Sequence, residues 1–161
     1  MKTVPVLLLL LAGSPLAAQD LSYSDDATVQ CLEAASDDTA RRACIGAAAE
    51  LCMEETDGGS TTPVMGGCLD RERSYWDDRL NASYGEAKDY AAEFDAGNGS
   101  EGALGNALVK MQRAWIPFRD SACAFEAAQW SNGTGAGPAA TACLMQITAE
   151  QTLRIESAMQ E

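Results

Sequence analysis

Apolar residues recur along most of this chain at the interval of one helix face, and no run alternates like a half-buried strand. Beyond Pro63, which suits the first position of a helix capped by Thr62, they fall at Leu69, Trp76, Leu80, Tyr84, Ala87, Ala91 and Phe94. After a first step of seven the intervals run 4-4-3-4-3, which predicts one long helix ended by the glycine-rich segment 95–102. A second stripe follows at Leu104, Leu108, Met111, Trp115, Phe118, Ala122 and Phe125. Pro117, inside it, is expected to remove one backbone hydrogen bond and kink the helix. Residues 131–137 read as a loop, and Pro138 opens a last helix with Ala140, Leu144, Ile147, Ile155 and Met159 facing inward.

The stretch before Pro63 has a different texture, being short, acidic and rich in alanine. It predicts two small helices, at 25–36 and 38–54, parted where Ser36, Asp37 and Asp38 cluster as capping residues. The predicted fold class is therefore all-α: a bundle of three long antiparallel helices with a short N-terminal helical hairpin. Trp76, Trp115 and Phe118 lie on apolar stripes and are expected in its core.

The first eighteen residues add a compartment to this picture. Lys2, the apolar run from Val6 to Ala12 and the small pair Ala17-Ala18 read as a secretory signal peptide cut before Gln19. The run is shorter than the roughly 20 residues a membrane span needs, and no cysteine near the cut would carry a lipid anchor. Neither a membrane span nor a lipid anchor is expected, and a periplasmic or secreted location is. The chain divides into a signal peptide at 1–18, an acidic cysteine-containing helical extension at 19–61, and the main helical domain at 62–161.

Export gives the six cysteines a meaning, since an even number in an oxidising compartment predicts disulfides. Helices joined by a tight loop run antiparallel, so residues equidistant from the loop face one another. Cys31 and Cys44 are centred on the Asp37-Asp38 break, Cys52 and Cys68 on Ser60, and Cys123 and Cys143 on Gly133. Linking Cys44 to Cys52 instead would span two turns of one predicted helix, roughly 12 Å, where a disulfide tolerates about 7 Å between Cα atoms.

Charge narrows the function. There are 11 Lys and Arg against 24 Asp and Glu and no histidine, a formal net charge of −13. A Ser-His-Asp triad, a Cys-His pair and histidine-ligated zinc are excluded, no C-x-x-C suggests a metal ribbon, and nucleic acid would be repelled. Carboxylates are abundant, yet none is marked as the acid of a catalytic pair. Basic partners are favoured, and neither a cofactor, a metal nor a catalytic residue is expected.

Several segments then take on a family pattern. Met65-Gly-Gly-Cys68, Asp77-Asp-Arg-Leu80-Asn81-Ala-Ser-Tyr84, Gln112-Arg-Ala-Trp115-Ile-Pro-Phe118-Arg119-Asp120-Ser-Ala-Cys123 and Cys143-Leu-Met-Gln-Ile-Thr148 together resemble the N-terminal domain of the LprI-type lysozyme inhibitors. The resemblance covers Met65 to the C-terminus. It implies a small exported helical domain of the bacterial envelope, without catalytic residues, whose founding type inhibits host lysozyme. Where the family often has an arginine in its last helix this chain has Gln151, which predicts amide hydrogen bonds in place of a buried charge.

The candidate binding residues are Asp77, Asn81, Tyr84, Gln112, Trp115, Arg119 and Asp120. Asp77 and Asn81, one turn apart, either grip a partner's cation or anchor a helix crossing. Arg119 either serves a partner or pairs with Asp77 across the bundle. Two functions stay open: a binding protein whose acidic surface captures a cationic lysozyme or other basic envelope protein, and an envelope accessory module that touches no lysozyme.

Overall fold

The computed structural model describes residues 20–160, so the segment read as a signal peptide lies outside the described residues. Six helices follow in order: α1 (Asp26–Ala34), α2 (Asp38–Ala43), α3 (Ala47–Glu55), α4 (Thr62–Asn98), α5 (Ala103–Ala128) and α6 (Ala136–Ala158). The architecture is all-α and disulfide-stapled, with the long helices α4 to α6 packed together and the short helices gathered at the N-terminal end. Helices α4 and α6 run parallel, as Thr62 meets Thr134, Trp76 meets Thr152 and Arg79 meets Glu156. Helix α5 returns antiparallel between them in sequence.

The core lies where α3, α4 and α6 meet: Ala49, Cys52, Val64, Cys68, Trp76, Met145, Ala149 and Leu153 are all buried there. A second cluster, Leu80, Ala87 and Ile155, carries the α4–α6 contact onward, and Leu108 and Trp115 of α5 pack against its edge. Disulfides join Cys31 to Cys44, Cys52 to Cys68 and Cys123 to Cys143. Each closes a turn between helices.

Four local expectations need correction. The helix predicted at 38–54 is two, because Gly46 takes φ +100°, a left-handed conformation open to glycine, and redirects the chain into α3. Helix α4 begins at Thr62 with Thr61 as its cap, and it runs past Asp95 to Asn98 before Gly99 ends it in the left-handed region. Helix α6 begins at Ala136, two residues before Pro138, which sits within its first turn where no donor is needed. The second long stripe, on α5, is only partly inward. Trp76 is fully buried and Trp115 half-buried, but Phe118 is 62% exposed, and Phe125, Met111 and Leu104 are exposed with it.

Candidate functional site

Among the described residues the largest fully buried polar or charged side chain after Trp76 is Glu72 on α4. Its fully enclosed carboxyl accepts from the Thr28 hydroxyl at 2.9 Å, the Gly46 N–H at 2.8 Å, the Trp76 indole N–H at 3.0 Å and the Ala49 N–H at 2.7 Å. Gly46 and Ala49 lie at the N-terminus of α3, where free N–H groups and the helix dipole favour an acid. The Thr28 hydroxyl in turn accepts from the Ala48 N–H at 3.1 Å. A side chain of α4 thus caps α3 and ties α1 to both, which offsets the cost of burying it.

A second polar centre joins the other end of the short helices to the bundle. Glu156 on α6 receives Arg79 through two hydrogen bonds, 2.8 and 3.1 Å, and Ser83 at 2.9 Å, while Arg41 of α2 closes the cluster. Burial pushes the Glu156 carboxyl up, but the Arg79 hydrogen bond and charge outweigh it, with Ser83 and Arg41 assisting, and the net shift is downward. Arg79 is raised by the same bond, against its own burial. At the far end, Asp95 of α4 accepts from Ser100 at 2.5 Å and from the N–H groups of Leu104 and Gly105 at 3.0 Å each, capping α5 from outside its sequence. The Ser100 hydrogen bond, then those from Gly105 and Leu104, hold its carboxyl below the usual range.

The residues proposed from sequence fall into two groups. On α5, Gln112 accepts from Gln151 of α6 at 3.0 Å, so an amide pair stands where the family often has a charge. The Arg119 guanidinium lies 4.8 Å over the half-buried Trp115 ring and bonds Asp120 at 3.0 and 2.9 Å. On α4, Tyr84 packs beside the Leu80–Ile155 cluster with Lys88 Nζ 5.2 Å over its ring. Asp77 is half-buried, Asn81 exposed, and neither makes a side-chain hydrogen bond among the described residues. Among the described residues Asp77 and Arg119, whose pairing was one of the two uses open to Arg119, do not pair. Arg119 finds a carboxylate one residue away, and its ring neighbour fixes it on α5.

Beside Trp115 an open groove of about 500 Å³ runs between α5 and α6, lined by Met111, Trp115, Phe118, Ile147, Glu150 and Arg154. Ile147 and Glu150 also line a neighbouring hollow of about 720 Å³ that reaches Met53 of α3 and Trp130. Among the described residues no group of three His, Cys, Asp or Glu side chains is placed to hold a metal ion, and no helix is long and apolar enough to cross a membrane.

Sequence reasoning passed over Glu72, Ser83, Asp95 and Glu156. The signal for Glu72 was the first step of seven between Leu69 and Trp76: the buried line of α4 runs through Cys68, Glu72 and Trp76 at intervals of four, and an acid fills the gap.

These features define a class, an all-α, disulfide-stapled bundle whose polar centres hold helices together. Residues 52–154 match the family described as Lysozyme inhibitor LprI, and the chain belongs to that family. It is accordingly a non-catalytic binding protein of the bacterial envelope, periplasmic or secreted. It is also 28% identical, over 98% of both chains, to an uncharacterised 17.7 kDa protein in the puhA 5′ region of Rhodobacter capsulatus. No solved structure matches it.

Proposed function

We propose that this protein captures a strongly cationic lysozyme by electrostatic attraction and blocks it, using the acidic surface of its N-terminal helices. The observation that carries the reading is where the charge sits. Residues 19–68 hold ten acids and two bases, a net of −8, against −6 for the remaining 93 residues. Within that region Asp26, Glu33, Glu50, Glu54, Glu55 and Asp57 are exposed and make no side-chain hydrogen bond or ion pair among the described residues. Unpaired exposed acids contribute little to the fold and leave their field for an incoming cation. Family membership supports lysozyme as the cation.

The test is cell-wall lysis by a panel of lysozymes with the purified mature protein in excess. Inhibition at low salt that weakens as salt is added is the expected result. Full lytic activity of every lysozyme at low salt would end this reading and leave an accessory module of the envelope.

A further inference from the structure

Helix α5 receives less cover than its sequence asks for. Of its 26 residues only Cys123 is buried. The large side chains left open are regularly placed: Leu104, Met111, Phe118 and Phe125, at 36, 36, 62 and 66% exposure, stand seven residues apart. Between them Ala107, Ala114, Ser121 and Ala128 are exposed as well, so the intervals along this face run 3-4-3-4-3-4-3. Alternating steps of 3 and 4, a repeat of seven residues, are the spacing at which a helix keeps one seam turned toward another helix. The bundle borders that seam on one side, where Met111 and Phe118 line the open groove beside α6, and leaves it uncovered. Its contacts to α5 run through Leu108, Gln112, Trp115 and Cys123, on the adjoining face.

Large and small residues alternate along the seam, which makes it self-complementary under a two-fold axis. With two copies of α5 antiparallel about a midpoint at residue 116, Leu104 faces Ala128 of the second copy, Met111 faces Ser121, Phe118 faces Ala114 and Phe125 faces Ala107. Every large side chain then enters the space above a small one. A parallel pairing would stack phenylalanine on phenylalanine and alanine on alanine, alternating crowding with voids. Pro117 lies one residue from the midpoint, so any bend it causes occurs at the same level in both copies.

Charge points to the same occupant. The chain as a whole is strongly acidic, which opposes self-association over most of its surface, but α5 carries three bases, Lys110, Arg113 and Arg119, against two acids, Asp120 and Glu126. The helices of the acidic region, α1 to α3, make no contact with α5. Two copies meeting along α5 bring together helices of net charge 3 − 2 = +1 and keep the acidic region away from the contact.

We propose that the open seam of α5 is a homodimer interface, taken by the same helix of a second copy in antiparallel orientation. This goes beyond lysozyme capture and leaves the acidic surface of both copies free. Sedimentation velocity on the mature protein, from micromolar to millimolar, is expected to show a species of twice the chain mass that grows with concentration. The double variant Phe118→Glu, Phe125→Glu alters only exposed positions and should sediment as a monomer with its helical melt retained. Ala114→Phe adds no charge but fills the space facing Phe118, and should weaken the dimer by about tenfold or more. Oxidised Met111→Cys, Ser121→Cys protein should cross-link between copies, while Ser121→Cys alone should not; the reverse would overturn the antiparallel pairing. A wild type that stays monomeric throughout, or dimers that survive the double glutamate variant, would overturn the proposal. So would a monomer that binds phosphatidylglycerol vesicles through Phe118 and Phe125, which would assign the seam to a lipid surface.

Discussion

Glu72 shows at the scale of one residue how a buried acid can be structural. Each of its neighbours donates, and the two carboxyl oxygens accept all four hydrogen bonds. Glu72→Gln keeps the shape but turns an NH2 group toward a donor, leaving an N–H or indole unpaired. The expected loss is about 2 kcal/mol, read as a lower denaturant midpoint with unchanged slope. An equal midpoint would mean that the network rearranges freely. A second residue-scale expectation concerns acid. Glu156 and Asp95 have carboxyls held below the ordinary range in the folded protein. Their contribution is therefore present above the unfolded carboxylate pKa, near about 4, and is lost as pH falls through the lower folded values. Melting temperature should drop on acidification below that point, and less so in Glu156→Gln, whose melt at neutral pH should already be lower.

Among the elements, the long helices were legible because the core rewards a strict period: Trp76, Leu80, Ala87 and Ala91 are buried where the 4-4-3-4-3 pattern puts them. Glu72 and Asp95 were not legible as core, since burial of an acid depends on donors from distant segments that no local pattern announces. The break at Gly46 was hidden for a related reason. An alanine-rich run reads as one helix, whereas the left-handed turn at Gly46 aims the α3 N-terminus at Glu72, a partner distant in sequence. The α5 stripe failed differently: its apolar arc is wider than the contact it makes, so periodicity located the arc but not the part that α6 and α4 cover. Cys123 is the single buried residue of α5, so its disulfide is a covalent tether beside the partly exposed contacts of Leu108, Gln112 and Trp115. Replacing Cys123 and Cys143 by Ala should cost about 3 kcal/mol in chain-entropy terms for a separation of 20 residues. Amide exchange should rise in α5 first, while α3, α4 and the Glu72 network remain protected. Uniform exchange across all helices would show that α5 is held by other contacts.

For the whole molecule, the family pattern said more about function than composition or any site residue did. The absence of histidine and the acid surplus narrowed the chemistry and gave only the expectation of a basic partner, whereas the segments on α4, α5 and α6 carried the family that residues 52–154 match. The candidate residues Gln112, Trp115, Arg119 and Asp120 do gather on one helix, while Asp77, Asn81 and Tyr84 stand on another. Sequence motifs mark positions that hold a fold as readily as positions that meet a partner, and Gln112, bonded to Gln151, shows the first use. Charge distribution is independent of that ambiguity because it needs no side-chain geometry.

The central claim, capture of a cationic lysozyme by the acids of α1 to α3, is tested most directly by the association rate measured in stopped flow across ionic strength. The comparison is between the chain from Gln19 onward and a variant with Asp26→Asn and Glu33→Gln in α1, Glu54→Gln and Glu55→Gln in α3 and Asp57→Asn just after it, all exposed positions without side-chain partners among the described residues. Wild-type association should slow by on the order of tenfold from low to physiological salt, and the variant should start slower and lose most of that dependence. A salt-independent rate, or a variant indistinguishable from wild type, would contradict the account.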